Sequence, residues 1–427
     1  MQALAYKKAV SEGKIDQQFI YLYGKQALDR QRTRYCRAID SFIEIFGDLD
    51  VELISAPGRT EIGGNHTDHQ HGRVVAASVD MDILAVAART EEFSIQLQSE
   101  GYPMNFVDLS QLEARPEEVD KSNSLLRGVC SRFRQLGRQI GGLKVYTTNN
   151  VLKGSGLSSS ASFEVLVGSL QNILYNGGEI APMEIAQIGQ YAENVYFGKP
   201  SGLLDQAASA MGGFAAMDFA DPEAPEVERI DFDVERYGYA LCIVDTGGNH
   251  TDLTPDYAAV PQEMKRAAQF FGKSVLREVD EAEFYPSIRE LRRACGDRAV
   301  LRAMHFFQEN RRAGEMARLL KAGSFEEFLK VVNDSGNSSY MYLQNTYSPS
   351  NPQEQGIPLA LAVGKRLLNG RGACRVHGGG FAGAVQAYVP LEMAEEFRRG
   401  MEEAFGEGAF HPLRIRPCGA YCMSSNW

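Results

Sequence analysis

The chain has 427 residues, 44% apolar and 23% charged, and a net charge of -11; the length predicts two domains, and the acidic balance excludes the basic stripe of a nucleic-acid surface. No apolar run approaches the roughly 18 residues of a membrane span, and the first residues, MQALAYKKAVSEGKIDQQ, hold no apolar block ahead of a cleavage site, so a cytoplasmic protein is expected. Seven cysteines, odd in number and mostly scattered singly, suit reduced thiols and predict no structural metal.

Apolar residues at helical spacing over 16–46, ended by Gly47, predict an N-terminal helix. A strand-like run at 51–55 then delivers the chain into APGRTEIGGNHTDHQHG, where an arginine, a glutamate, three histidines and an aspartate crowd one glycine-punctuated turn. That density marks a candidate site. Strand-like runs at 74–88, 94–97 and 143–148 alternate with helical patterns at 122–136, 160–175 and 182–197, an alpha/beta half. The acidic, proline-bearing stretch DPEAPEV precedes a strand at 239–245 and sets an expected boundary, with an N-terminal domain of residues 1–220 and a C-terminal domain of 221–427. Helices at 261–271, 299–322, 324–339 and 352–369 follow. The glycine cluster of CRVHGGGFAGAVQAYVP then runs into a strand-like tail, and a last strand is expected near 413–417.

The segment KGSGLSSSAS, 153–162, sits between the strand at 143–148 and a helical apolar run. A strand-to-helix junction presents unpaired backbone N–H groups and the positive end of the helix dipole, and glycines let a polyanion approach them. Serine hydroxyls donate to phosphate oxygens or ligate magnesium. The segment lacks the GK[ST] ending of a Walker A loop and the third glycine of a dinucleotide fingerprint. Taken alone, it also reads as a serine-rich helix cap.

The order PGR...GNHTD, GLSSSAS and GGGFAG resembles the GHMP small-molecule kinases, and the first segment is similar to the signature GRxNxIGEHTDYxxG of the galactokinase family. SGLLDQ at 201–206 is similar to that family's CGIMDQ, RAMHFFQEN at 302–310 to its RAxHVxxEN, and 125–129 falls in its NYxxGV region. The resemblance spans nearly the whole chain. It implies an α+β fold of two domains with the active site in the cleft between them, and ATP-dependent phosphorylation of a sugar at its C1 hydroxyl. ATP and Mg2+ are the implied cofactors, and a small-molecule sugar the implied partner, with no nucleic acid or membrane and a monomeric chain.

Residue by residue, the resemblance implies Asp205 as the catalytic aspartate and Arg59 as the guanidinium that lowers its pKa and steadies the phosphoryl charge. Gly154, Ser155, Gly156, Leu157, Ser158, Ser159, Ser160 and Ala161 are implied to cradle the nucleotide phosphates, with Ser160 and Glu193 as magnesium ligands. Asn65, His66, Asp68, Gly202 and Tyr257 are implied sugar contacts, whereas His69 and His71 have no family counterpart and read as exposed loop. Two departures stand out. Position 65 carries asparagine where the family has a glutamate that binds the C6 hydroxyl, and position 61 carries glutamate where the family has asparagine. Asparagine both donates and accepts, so position 65 suits galactose and also tolerates a C6 carboxylate, leaving galacturonate, or arabinose without C6, as alternatives. A catalytically silent sugar and ATP sensor, or a kinase for a non-sugar alcohol, are the remaining readings.

Overall fold

The computed structural model describes residues 1–151, 156–199, 201–248 and 253–423. Two sheets organise them. In the first, β1 (Glu52–Gly63) pairs antiparallel with the long β2 (Arg73–Thr90), and β3 (Ser94–Ser99), β4 (Asn105–Asp108) and β5 (Gly142–Asn149) extend the order as β1-β2-β5-β3-β4. The β3–β5 pair is parallel and its neighbours antiparallel. β6 (Phe214–Asp218) also pairs with β2, and β7 (Glu226–Ile230) with β6, so a strand beyond residue 220 still lies in the first sheet. The second sheet has the order β11-β8-β10-β9, from β8 (Tyr239–Asp245), β9 (Ala373–Val376), β10 (Ala384–Pro390) and β11 (Phe410–Leu413). The short β12 (Tyr421–Cys422) returns to β1.

Both faces of β1 and β2 are buried, which is why their sequences are runs of small and branched apolar residues rather than alternations. One face is covered by α1 (Ala3–Ser11), α2 (Asp16–Tyr23) and α3 (Leu28–Phe46), whose Phe19, Tyr35, Ile39 and Phe42 pack on Leu53, Leu84 and Val86. The helix expected over 16–46 is interrupted at Gly24, whose φ of 80° turns the chain between α2 and α3. The other face is covered by α4 (Ser122–Gln135), α5 (Ser159–Tyr175), α6 (Pro182–Tyr191) and α7 (Leu204–Met211).

The second sheet packs against helices Gly356–Leu368 and Ala394–Phe405. α8 (Thr254–Phe270) starts earlier than the sequence pattern predicts and carries Pro261 inside it; it packs with helix Asp297–Ala322 around Met264, Phe284 and Phe306. The final strand of the second sheet ends at Leu413, and Ile415 forms only an isolated bridge to Val79. Helix, sheet and connection order together make this an α+β fold.

Candidate functional site

Four segments and one helix converge on a cavity of about 510 Å3. They are the end of β1 with the turn after it, the N-terminus of α5, the approach to α7, the connection between β9 and β10, and the first turns of α8. The first motif is less of a turn than its glycines suggest. β1 continues through it to Gly63, and irregularities between Pro57 and Arg59 and between Glu61 and Gly63 re-aim the strand.

Arg59 and Asp205 meet in this cavity although 146 positions separate them. Arg59 Nε and Nη2 donate to Asp205 Oδ1 at 2.7 and 2.6 Å, and Nη1 donates to the Gly156 carbonyl. Burial pushes the Asp205 carboxyl up, but Arg59, the Ser158 hydroxyl and Lys199 outweigh it and hold the group below the usual carboxylate range. Asp205 is therefore ionised at neutral pH, a hydrogen-bond acceptor of low basicity beside a permanent cation.

Six of the eight residues expected in the phosphate loop are described; Gly154 and Ser155 lie outside the described residues. Gly156, Ser158, Ser159 and Ser160 line the cavity, while Leu157 and Ala161 are fully buried beneath it. Leu157 anchors the loop, its carbonyl accepting the Arg59 N–H at 3.1 Å. Gly156 has φ of 74°, and a Cβ there would stand 2.8 Å from His377 Nδ1, so the position favours glycine on both counts. α5 starts at Ser159, which turns its free N–H groups toward the cavity.

Glu193 sits in a π-helical turn, Ala192–Phe197, that ends the helix predicted over 182–197 and swings its carboxylate inward. Its Oε1 lies 3.3 Å from Ser160 Oγ and 2.9 Å from Lys199 Nζ, and its Oε2 accepts from Ser201 Oγ at 2.6 Å and Gln206 Nε2 at 2.9 Å. Glu164, buried behind it, is pushed well above the usual carboxylate range by burial and the Glu193 charge. A hydroxyl and a carboxylate side by side form an oxygen donor pair of the kind Mg2+ takes alongside phosphate and water.

On the opposite side, His66, Asp68, His69, Gly202, Tyr257 and Glu61 line the cavity. His66 Nε2 contacts the Gly379 carbonyl at 2.9 Å and Nδ1 contacts His69 Nε2 at 3.1 Å; burial keeps both imidazoles neutral. That pairing corrects the expectation that His69 is exposed loop: the short helix Asp68–Gln70 turns its ring inward. Asp68 is raised to about 6 by burial and then by the Asp205 charge. Gly202 makes room for it, because a Cβ there would fall 1.7 Å from Asp68 Oδ2. Tyr257 donates to the Gly380 carbonyl at 2.8 Å and stacks edge-on against Phe381.

Asn65 does not line the cavity. It is fully buried one layer behind, its Nδ2 donating to Gly378 O at 2.8 Å and to Glu61 Oε1 at 3.0 Å, its Oδ1 accepting from Asn345 at 2.9 Å and Ser339 at 3.1 Å. Glu61, noted in the sequence only as half of an exchange, is the member of the pair at the cavity. Alternation along a strand was the available signal: Arg59 and Glu61 are two residues apart, so they share a face. Lys199 and His377 also line the cavity without having been marked.

Two family models match the chain, the GHMP kinases N terminal domain over residues 124–213 and the galactokinase galactose-binding signature over residues 40–89. A galactokinase of Streptomyces coelicolor is 28% identical over 378 residues, covering 88% of this chain and 94% of its own. One from Glaesserella parasuis is 29% identical over 368 residues, covering 85% and 92%. Among solved structures, Lactococcus lactis galactokinase complexed with galactose superposes with a TM-score of 0.76 at 25% identity, over 90% of this chain and 98% of that one. Methanococcus jannaschii mevalonate kinase, at 16% identity and a TM-score of 0.60 over 86% and 98%, shares the fold.

Proposed function

We propose that the chain is a kinase of the GHMP type and, within it, a galactokinase, transferring the terminal phosphoryl group of ATP to the C1 hydroxyl of galactose. The observation that carries the reading is the Arg59–Asp205 pair, held at 2.6 Å between the serine-lined start of α5 and a recess lined by Glu61, His66, Asp68 and Tyr257.

In the reaction, the sugar's C1 oxygen forms a bond to the γ-phosphorus as the bond from that phosphorus to the β-bridging oxygen breaks, and ADP leaves. The hydroxyl proton points at Asp205, which accepts a hydrogen bond from it. Because Arg59 keeps Asp205 a weak base, its part is to orient the attacking oxygen and to take the proton onto its carboxylate as the bond to phosphorus forms, and full abstraction before attack is disfavoured. Arg59 also supplies fixed positive charge to the equatorial phosphoryl oxygens. Gly156 and the hydroxyls of Ser158, Ser159 and Ser160 face the phosphates, with Leu157 and Ala161 bracing the turn beneath. Ser160 and Glu193 would hold Mg2+, which when bound neutralises charge on the nucleotide phosphates; Lys199, paired with Glu193 at 2.9 Å, adds positive charge to the same wall of the cavity.

His66 and Asp68 bind sugar hydroxyls, Gly202 admits Asp68, and Tyr257 forms a wall of the recess. A uronate is disfavoured, since its carboxylate would meet the charges of Glu61, Asp68 and Asp205. Two domains, the first extending past residue 220 to include β7, a monomeric state and a cytoplasmic setting complete the reading; among the described residues no helix is long and apolar enough to cross a membrane. The test is Asp205→Asn, for which ADP release with galactose falls about 1,000-fold or more while ATP affinity stays within a few-fold. Unchanged turnover removes Asp205 from this role.

A further inference from the structure

We propose that Glu61, and not Asn65, reads the end of the sugar remote from C1, by accepting a hydrogen bond from a C4 or C6 hydroxyl; the inference rests on the sugar kinase reading above. Position 65 cannot do this. The Asn65 amide offers two N–H donors and two lone pairs, and all four face protein partners: Glu61, Gly378, Ser339 and Asn345. Its backbone carbonyl is engaged too, accepting from buried His305 at 2.9 Å.

Glu61 is the reverse. Its Oε1 is pinned by Arg375 Nη2 at 2.6 Å and Asn65 Nδ2 at 3.0 Å, whereas among the described residues its Oε2 accepts only the longer 3.2 Å contact from Asn65, which leaves a residue of the cavity lining with spare lone-pair capacity. Arg375 is completely buried, so the carboxylate is fixed by a partner with no alternative in solvent, a preorganised acceptor. Its place along β1 assigns the end of the sugar it meets. Residues 59 to 61 keep continuous register with Ser78, Ala77 and Ala76, so Arg59 and Glu61 leave the same strand face about 7 Å apart. Arg59 marks the phosphoryl centre, and Glu61 stands roughly a pyranose ring away from it.

The exchange of residues 61 and 65 relative to the galactokinase signature thus keeps one carboxylate and one amide in the motif, here in contact, while moving the carboxylate from one chain position to the other. Asn65 is then a positioning residue acting through Glu61. A buried carboxylate at the distal end accepts from a neutral polyol and repels a sugar acid.

The test is kcat/KM of the wild type and of Glu61→Gln with galactose, 4-deoxygalactose and 6-deoxygalactose, with unfolding temperature as a check on folding. Glu61→Gln is expected to lower kcat/KM on galactose about 10- to 100-fold, mainly through KM, and the loss should vanish on the deoxy sugar that lacks the contacted hydroxyl. An equal loss on all three sugars overturns the proposal and leaves Glu61 only a structural partner of Arg375. Should Glu61→Gln not fold, Glu61→Asp decides, since it keeps the charge beside Arg375 and withdraws the carboxylate from the cavity. A loss on galactose that vanishes on one deoxy sugar supports the proposal, and an equal loss on all three refutes it. A wild type that phosphorylates none of these sugars sinks the kinase reading itself, an outcome separate from either.

Discussion

Replacing Asp68 by asparagine should stabilise the ligand-free protein at neutral pH while weakening its hold on sugar. Asp68 sits beside Asp205 in a partly desolvated recess, and its carboxyl is raised from 3.8 to about 6. A shift of about two units corresponds to about 3 kcal/mol of penalty for carrying the charge in the folded state. One side opens on the cavity, so screening reduces the expected gain to about 1–2 kcal/mol. The sign follows from the proton: the folded carboxyl holds it more tightly than the unfolded one, so wild-type stability declines as pH rises between about 4 and about 6 and the penalty is complete above that. Urea unfolding of both proteins at a series of pH values should give equal stability near pH 4, a growing advantage for Asp68→Asn through the window, and a plateau above about pH 7. A difference that is independent of pH, or a less stable variant at neutral pH, would refute the argument that Asp68 is a strained acceptor maintained for binding.

Asn65→Glu should lose about 3–5 kcal/mol of stability in denaturant unfolding, because a second carboxylate would face Glu61 and the Gly378 carbonyl where Asn65 Nδ2 now donates. An unchanged midpoint would mean the two side chains are not in contact. Gly202→Ala should raise KM for sugar at least about 10-fold with little change for ATP, since the added methyl displaces the Asp68 carboxylate. Steady-state kinetics varying each substrate in turn distinguishes that outcome from a general loss of folding.

The chemistry-bearing segments were legible because each couples an unusual residue density to a change of secondary structure. KGSGLSSSAS announced a strand-to-helix junction, and α5 starts at Ser159. The family resemblance, the α+β class and the kinase activity were all readable at that level, from motifs that together span the chain. What the sequence hid was depth. Asn65 and Glu61 lie four positions apart in one motif; alternation with Arg59 could have placed Glu61 at the cavity, but Asn65 follows the end of β1 and its burial in the layer behind has no such local signal. His69 was misread for the same reason, since its burial depends on contact with His66 and on α8 overhead rather than on its own neighbours. The break at Gly24 and the early start of α8 are cases where a single glycine or proline carries two meanings: Gly24 ends a helix inside an apolar pattern, whereas Pro261 is tolerated within one.

The most direct test of the account is ADP release by the purified protein with Mg-ATP, measured in parallel with galactose, galacturonate, arabinose, N-acetylgalactosamine and glucose, with the phosphorylated position assigned by 31P NMR. The account predicts a clear preference for galactose, an anomeric phosphate as product, and turnover of galacturonate at least about 100-fold lower, because Glu61 holds negative charge at the cavity wall. Preference for galacturonate, or no ADP release with any of the five, would contradict it.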